Sequence, residues 1–212
     1  MSDDHALKAI SAYDDVHLKT PSIDRIAREG MRFDNAFVTN SLCGPARAVV
    51  LTSKYSHING FKQNDNSTFD ESQWTFPKEL QKNGYYTSII GKYHLNSVPE
   101  GKDGFDYWNI LVGQGEYYQP EFIENGEHIK YNNTHVTDKI TELTLDVLKN
   151  KVPEDKPWML MMHHKAPHRN QAAPIRYLGH FHGKNFSLPE TYFDNYATRC
   201  PAAASADNKV KH

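Results

Sequence analysis

Residues 75–95 read TFPKELQKNGYYTSIIGKYHL, and the order of structure in this stretch decides the fold class. Residues 75–83 read as a helix that Gly84 ends, because glycine leaves a helix more readily than any other residue. Residues 85–90 follow as a strand rich in aromatic and β-branched side chains. Directly after it come Gly91, Lys92, Tyr93, His94 and Leu95. In open α/β sheets ligands gather beyond the carboxyl ends of the strands, so chemistry is expected here. If residues 92–94 run extended, Lys92 and His94 point to the same side. A cation and a titratable ring facing one place suit an anionic substrate; a solvated strand end would carry the same residues.

The alternation extends outward from this stretch. Upstream, TPSIDRIAREG (residues 20–30) carries Thr20 at an N-cap, Pro21 at the first helical position and Gly30 just past the end. Ile23, Ile26 and Ala27 share one face of that helix. Residues 31–38 then read as a strand, with Met31 and Phe33 on one side. Pro45 opens a second helix, PARAVVLTS, which places Cys43 and Gly44 at its N-terminus. Downstream, Asn125-Gly126 between FIE and EHIKY predicts a hairpin turn. Thr137 caps a predicted helix running to Lys149, with Ile140, Leu143, Val147 and Leu148 along its buried stripe. The apolar strand of residues 158–162 follows Pro157. Helices alternating with strands predict an α/β fold with a mostly parallel central sheet flanked by helices. From Lys184 onward the pattern fades, and the last twelve residues, PAAASADNKVKH, read as an element begun and not finished.

Composition narrows the function. The 212 residues include 24 basic and 26 acidic side chains, for a formal net charge of −2. That balance gives no field for holding nucleic acid or an anionic membrane surface. No apolar run approaches the roughly 18 residues of a membrane span, and MSDDHALKA lacks the basic and apolar regions of a secretory signal. Two cysteines, Cys43 and Cys200, exclude a disulfide framework and allow one bridge at most. Twelve histidines are many for so polar a chain.

Three further clusters carry chemistry. Asp3, Asp4 and His5 form either a solvated turn or a hard-cation site in which a metal offsets the repulsion of the carboxylates. Cys43-Gly44-Pro45-Ala46-Arg47 places a thiol where a helix dipole favours the thiolate, with an arginine one turn on. A buried structural cysteine with Arg47 in a surface ion pair fits the same spacing. His163-His164-Lys165-Ala166-Pro167-His168-Arg169 follows an apolar strand and suits a metal site, an anion site or a basic loop.

In this order the clusters resemble the sulfatases of the alkaline-phosphatase-like superfamily. CGPARAVVLT is similar to the family signature, in which Cys-x-Pro-x-Arg is recognised by a maturation enzyme and the cysteine is oxidised to formylglycine. GYYTSIIGKYHL resembles the second signature, whose usual form ends in GKWHLG. MSDDH resembles the first strand end, where an Asp-Asp pair binds calcium, and HHKAPHR resembles the later histidine segment. NSLCGPARAVVLTSKYSHINGF, GQGEYYQPEFIENG and HHKAPHRNQ are most similar to bacterial sulfatases of sulfated carbohydrates, N-acetylglucosamine-6-sulfatase-like members among them.

The resemblance implies a sulfuric ester hydrolase with Ca²⁺ as cofactor. It places Asp3, Asp4 and the converted Cys43 on the metal, and makes hydrated formylglycine at residue 43 the nucleophile. Arg47 would stabilise the diol and Lys92 would bind sulfate oxygens. His94 would orient or deprotonate the diol, and His168 would contact sulfate and protonate the departing alcohol. His164 would be a further substrate contact. Implied partners are a sulfated carbohydrate and the formylglycine-generating enzyme, with no nucleic acid and no membrane span. The implied location of the full-length enzyme is periplasmic or extracellular. Ala46, Ser53, Tyr93 and Asn96 depart from the usual serine, glycine, tryptophan and glycine of the signatures. The apolar first strand, the later Asp-Asn or Asp-His pair and a further lysine are not found in context; Asp194-Asn195 and Asp207-Asn208 lie too early. Residues 1–212 therefore read as the N-terminal part of a sulfatase catalytic domain, lacking its first strand and C-terminal half. Two alternatives stand beside this reading: a phosphate ester hydrolase of the same superfamily, and a catalytically silent truncated chain.

Overall fold

The computed structural model describes residues 1–14, 17–98 and 104–206. They fall into two compact units, residues 1–174 and 175–212. In the first unit the helices are α1 (Pro21–Glu29), α2 (Cys43–Thr52), α3 (Ser56–Asn59), α4 (Phe76–Lys82) and α5 (Val136–Asp146). The strands are β1 (Tyr86–Gly91), β2 (Tyr107–Leu111), β3 (Glu121–Glu124), β4 (Glu127–Lys130) and β5 (Trp158–His163). The strands form one open sheet in the order β4-β3-β2-β1-β5. β1 lies parallel to both β2 and β5, pairing Ser88 with Tyr107 and Gly91 with His163. β3 and β4 are antiparallel and join through Asn125-Gly126, as the turn signal predicts. The sheet is therefore mixed, a parallel three-stranded part extended by a hairpin.

β1 is buried on both faces, polar Thr87 and Ser88 included. Ile89 packs into a cluster with Ala48 and Leu51 of α2, Phe61 and Trp108. Its neighbour Ile90 points the other way, into a cluster with Val136 and Ile140 of α5 and Phe122 of β3. The helices thus cover both sides of the sheet and hold the ends of β1 and β5 in register.

Residues 1–3 run beside the end of β5. The Met1 nitrogen donates to Met162 O at 2.7 Å. His164 N donates back to Met1 O at 2.9 Å, and Asp3 N to Ala166 O at 3.1 Å. Asp3 therefore sits in the row of strand ends, where the sequence places an Asp pair.

Three expectations change. Residues 31–38 form no strand: Met31, Phe33 and Phe37 are exposed, Phe37 at 92%, and an alternating pattern makes a strand only when a neighbour pairs with it. α1 forms where its punctuation predicts, but it buries none of its residues, so Ile23 and Ile26 face outward. α5 is capped by His135, whose ring accepts from Thr137 N, instead of by Thr137 itself, and a π-helical turn (Val147–Lys151) finishes it.

The second unit, taken by itself, holds a 3₁₀ turn (Ile175–Tyr177), a series of turns, the Arg199–Asp194 ion pair and helix α6 (Pro201–Ser205). α6 ends at Ala206, whose backbone is extended; Asp207-Asn208 lies outside the described residues.

Candidate active site

The end of β1 delivers Lys92, the end of β5 delivers His163, and the first turn of α2 brings Cys43 and Arg47 to the same place. Gly91 makes this approach possible. Its φ is +98°, and a Cβ there would lie 2.0 Å from His163 O, the atom that accepts from Lys92 N at 2.9 Å.

Lys92 is fully buried, and its ammonium is paired with Asp3, itself buried. Arg47 is buried too. Its Nη2 lies 3.7 Å from Asp3 Oδ1, and its Nη1 donates to Lys92 O and stands 3.0 Å from His163 Nδ1. The same Nδ1 lies 3.1 Å from Lys92 O, so this one atom faces both a donor and an acceptor, and the neutral ring meets one or the other according to its tautomer. Burial and the Arg47 charge push His163 down to about 3, which keeps the ring neutral.

His94 reaches the cluster by a different route from the one its spacing predicts. Its backbone is left-handed, φ +53°, so residues 92–94 do not run extended. Burial, then Lys92 and Arg47, lower its pKa to about 4. Its Nδ1 is buried without a hydrogen-bond partner. A neutral imidazole with an unused nitrogen is suited to orienting a neighbouring hydroxyl as a hydrogen-bond acceptor, while the two cations beside it weaken it as a base.

The two aspartates part company. Asp3 points inward, while Asp4 (φ +54°) is exposed and lies 3.6 Å from His168 Nε2. Ligand atoms of Asp3, Cys43 and His168 lie within 4.8 Å of one another. A cavity of about 550 Å³ beside them is lined by Asp3, Asp4, Ser41, Leu42, Cys43 and Arg47. Cys43 is half-buried, and desolvation raises its thiol pKa against the pull of Lys92. The thiolate expected at a helix N-terminus is therefore not favoured here, and Arg47 is no surface ion-pair residue. One donor of that helix end is also taken, since Gly44 N donates to Asn64 Oδ1 at 2.9 Å.

His168 is buried, and burial followed by Lys92 lowers its pKa. Tyr117 Oη donates to its main-chain oxygen at 2.5 Å. The ring of His164 stands apart from these contacts, with Nδ1 buried and unpartnered. The sequence marks His163 as one of a histidine cluster without giving it a role, and marks neither Asn64 nor Tyr117. For His163 a signal exists: residues 163 and 165 fall on one side of the chain leaving β5, and both are buried. For Asn64 and Tyr117, on loops, there is none. Cys200 is exposed, in the second unit.

The comparisons with known proteins agree on one family. The Sulfatase family model matches residues 1–212, the whole chain. This chain belongs to the sulfatase family. The sulfatase relatives include an N-acetylglucosamine-6-O-sulfatase of Bacteroides thetaiotaomicron, 47% identical over all of this chain and 38% of its own length. An ulvan-active sulfatase of Formosa agariphila is 28% identical over 77% of this chain and 34% of its own. Among solved structures, one described as in complex with its substrate D-glucosamine-2-N,6-O-disulfate superposes with a TM-score of 0.91. It is 48% identical and covers 97% of this chain and 41% of that one. This sulfatase chain thus spans about two fifths of the length of the relatives it matches. No described helix is long and apolar enough to cross a membrane.

Proposed function

We propose that this chain carries the nucleophile-bearing part of a sulfuric ester hydrolase that removes sulfate from a sulfated carbohydrate. The observation that supports it most is the convergence of Asp3, Cys43, Arg47, Lys92, His94 and His168 at one end of the parallel strands. The relatives' named substrates, an N-acetylglucosamine 6-sulfate and a glucosamine disulfate, point to a sulfated amino sugar.

The donor atoms fit a hard cation on one condition. Two carboxylates suit Ca²⁺, whereas a thiol sulfur does not. Oxidation of Cys43 to formylglycine replaces that sulfur with oxygen, and Asp3, Asp4 and residue 43 would then hold calcium. When bound, the ion supplies positive charge that screens an incoming sulfate. Hydrated formylglycine supplies an oxygen nucleophile of the kind a protonated, half-buried thiol does not.

The remaining residues act through charge and proton placement. Arg47 and Lys92 fix a positive wall at the strand ends and draw sulfate oxygens toward residue 43. Arg47 is held by Lys92 O, His163 and Asp3, and the Lys92 ammonium by Asp3. His94 orients or deprotonates a hydroxyl of hydrated residue 43. His168, next to Asp4, donates a proton to the departing alcohol oxygen. His164 is proposed as a further substrate contact. The maturation enzyme that reads Cys-x-Pro-x-Arg is the protein partner, and the periplasm or the extracellular space is the location.

Two measurements test this. Co-expression with a formylglycine-generating enzyme, followed by mass spectrometry of the peptide spanning Cys43, is expected to show an aldehyde. Calorimetric titration of that converted chain with Ca²⁺ is expected to show stoichiometric binding. An unmodified thiol under those conditions, or no calcium heat from the converted chain, refutes the proposal.

A further inference from the structure

A second cavity, of about 430 Å³, opens on the other side of His168. Its lining includes Gln114, Glu116, Lys165, His168, Arg169 and Asn170. It shares His168 with the reaction centre, so whatever fills it is joined to the group on which His168 acts. Its volume is that of an ordinary small-molecule site.

Two polar groups define its chemistry. Gln114 Oε1 is buried and has no hydrogen-bond partner. Leaving such an acceptor unmatched is costly, so it marks a place where a ligand donor is missing. Lys165 is buried, and its Nζ donates to the main-chain oxygen of Gln114 at 3.1 Å and stands 5.0 Å above the Tyr117 ring. An ammonium has three N–H donors, and one carbonyl takes one of them. Glu116, a carboxylate, faces the same space. A ligand made only of acceptors, such as a second sulfate, would suit Lys165 and Arg169 but leave Gln114 Oε1 unmatched and meet Glu116 with like charge. A ring bearing hydroxyl or amino groups both donates and accepts, and so serves Gln114 and Glu116 as well as the two cations.

We propose that this cavity seats the alcohol half of the ester, a hydroxylated pyranose ring. In it Gln114 Oε1 accepts from a sugar O–H or N–H, and Lys165 Nζ donates to a sugar oxygen. This rests on the reading of the neighbouring centre as a sulfate site, and it makes residues 114 and 165 determinants of sugar specificity.

The test is calorimetric titration of the converted full chain, in calcium, with inorganic sulfate and with glucosamine 6-sulfate, the quantity read being the ratio of the two affinities. The sugar ester is expected to bind more tightly than sulfate. Gln114→Leu, which keeps the backbone carbonyl that holds Lys165, is expected to cut the ratio about fivefold, the worth of one hydrogen bond to a neutral group. Lys165→Met is expected to cut it about tenfold or more, and if that variant fails to fold, Gln114→Leu alone decides. Equal affinity for the two ligands, or a ratio untouched by Gln114→Leu, overturns the sugar seat while leaving the sulfate centre standing. No binding of either ligand by the wild-type chain overturns the sulfate reading, and the inference with it.

Discussion

Gly91 is the position at which one methyl group should do most harm. Alanine there meets two separate penalties. The first is conformational: φ is +98°, where an L side chain costs about 1–2 kcal/mol. The second is steric, because the new Cβ would lie 2.0 Å from His163 O, a backbone atom of the neighbouring strand that no rotamer change can remove. Relieving that overlap parts the end of β1 from β5 and breaks the 2.9 Å bond from Lys92 N to the same oxygen, adding about 2–3 kcal/mol for overpacking and the lost bond together. The sum is about 3–5 kcal/mol. Gly84→Ala isolates the first part, since φ is +85° there and nothing lies within 4 Å of the new Cβ. Urea unfolding followed by circular dichroism reads both. With a slope of about 2 kcal/mol per M, Gly91→Ala lowers the midpoint by roughly 1.5–2.5 M and Gly84→Ala by roughly 0.5–1 M. Equal losses in the two variants would refute the close approach of β1 to His163 on which the placement of Lys92 depends.

Four other outcomes are expected. Ser53→Gly should stabilise the chain by about 1 kcal/mol in the same unfolding assay, because Ser53 ends α2 in the left-handed region at φ +54°. Asp3→Asn leaves the buried Lys92 and Arg47 facing a neutral amide; stability should fall by about 3 kcal/mol and the calcium heat should vanish in calorimetry. His163 has a folded pKa of about 3 against an unfolded value near 6.5. The unfolded chain therefore binds the extra proton, and stability is lost as pH falls from 6.5 toward 3, by about 1.4 kcal/mol per pH unit. His163→Gln, which keeps a polar side chain beside Arg47, should lower the slope by about that amount in unfolding curves taken from pH 7 to pH 4, leaving the contribution of His94, whose folded pKa is about 4. In the unconverted chain iodoacetamide should alkylate exposed Cys200 well before half-buried Cys43, whose thiol burial keeps protonated, as peptide mass mapping over time would show.

Where helices and strands are punctuated locally, they are legible in the residues. Pro21 and Gly30 bracket α1, Asn125-Gly126 turns the β3–β4 hairpin, and the apolar run after Pro157 becomes β5. Residues 31–38 mislead because period-two hydrophobicity states a preference for a sheet and cannot supply the neighbouring strand. The departures from the family signatures also acquire a reason. Ser53 and Asn96 both adopt φ +54°, the region that the usual glycine enters freely, and Asn96 ties its loop down by donating to Ser67 O at 2.7 Å. The site is legible as a set of residues and not as an arrangement. Nothing in MSDDH says that Asp3 turns inward and Asp4 outward, since that follows from Asp3 N binding Ala166 O, more than 160 residues away. Likewise Arg47 owes its burial to Lys92 and His163, which no local pattern links to it.

If Cys43 is converted to formylglycine, as proposed, the burial of α2 sets a timetable for that conversion. Pro45 and Arg47, two of the residues a Cys-x-Pro-x-Arg reader must hold, are covered once the sheet has formed. Any enzyme that reads them has to do so on an unfolded segment. The structure even supplies a clock, because the His163 contact of Arg47 lies 116 residues further along. At a synthesis rate of about 5–20 residues per second, roughly 6 to 23 s pass between the emergence of Arg47 and that of its last partner. Through that interval the signature is a free peptide; afterwards it is the inside of a protein.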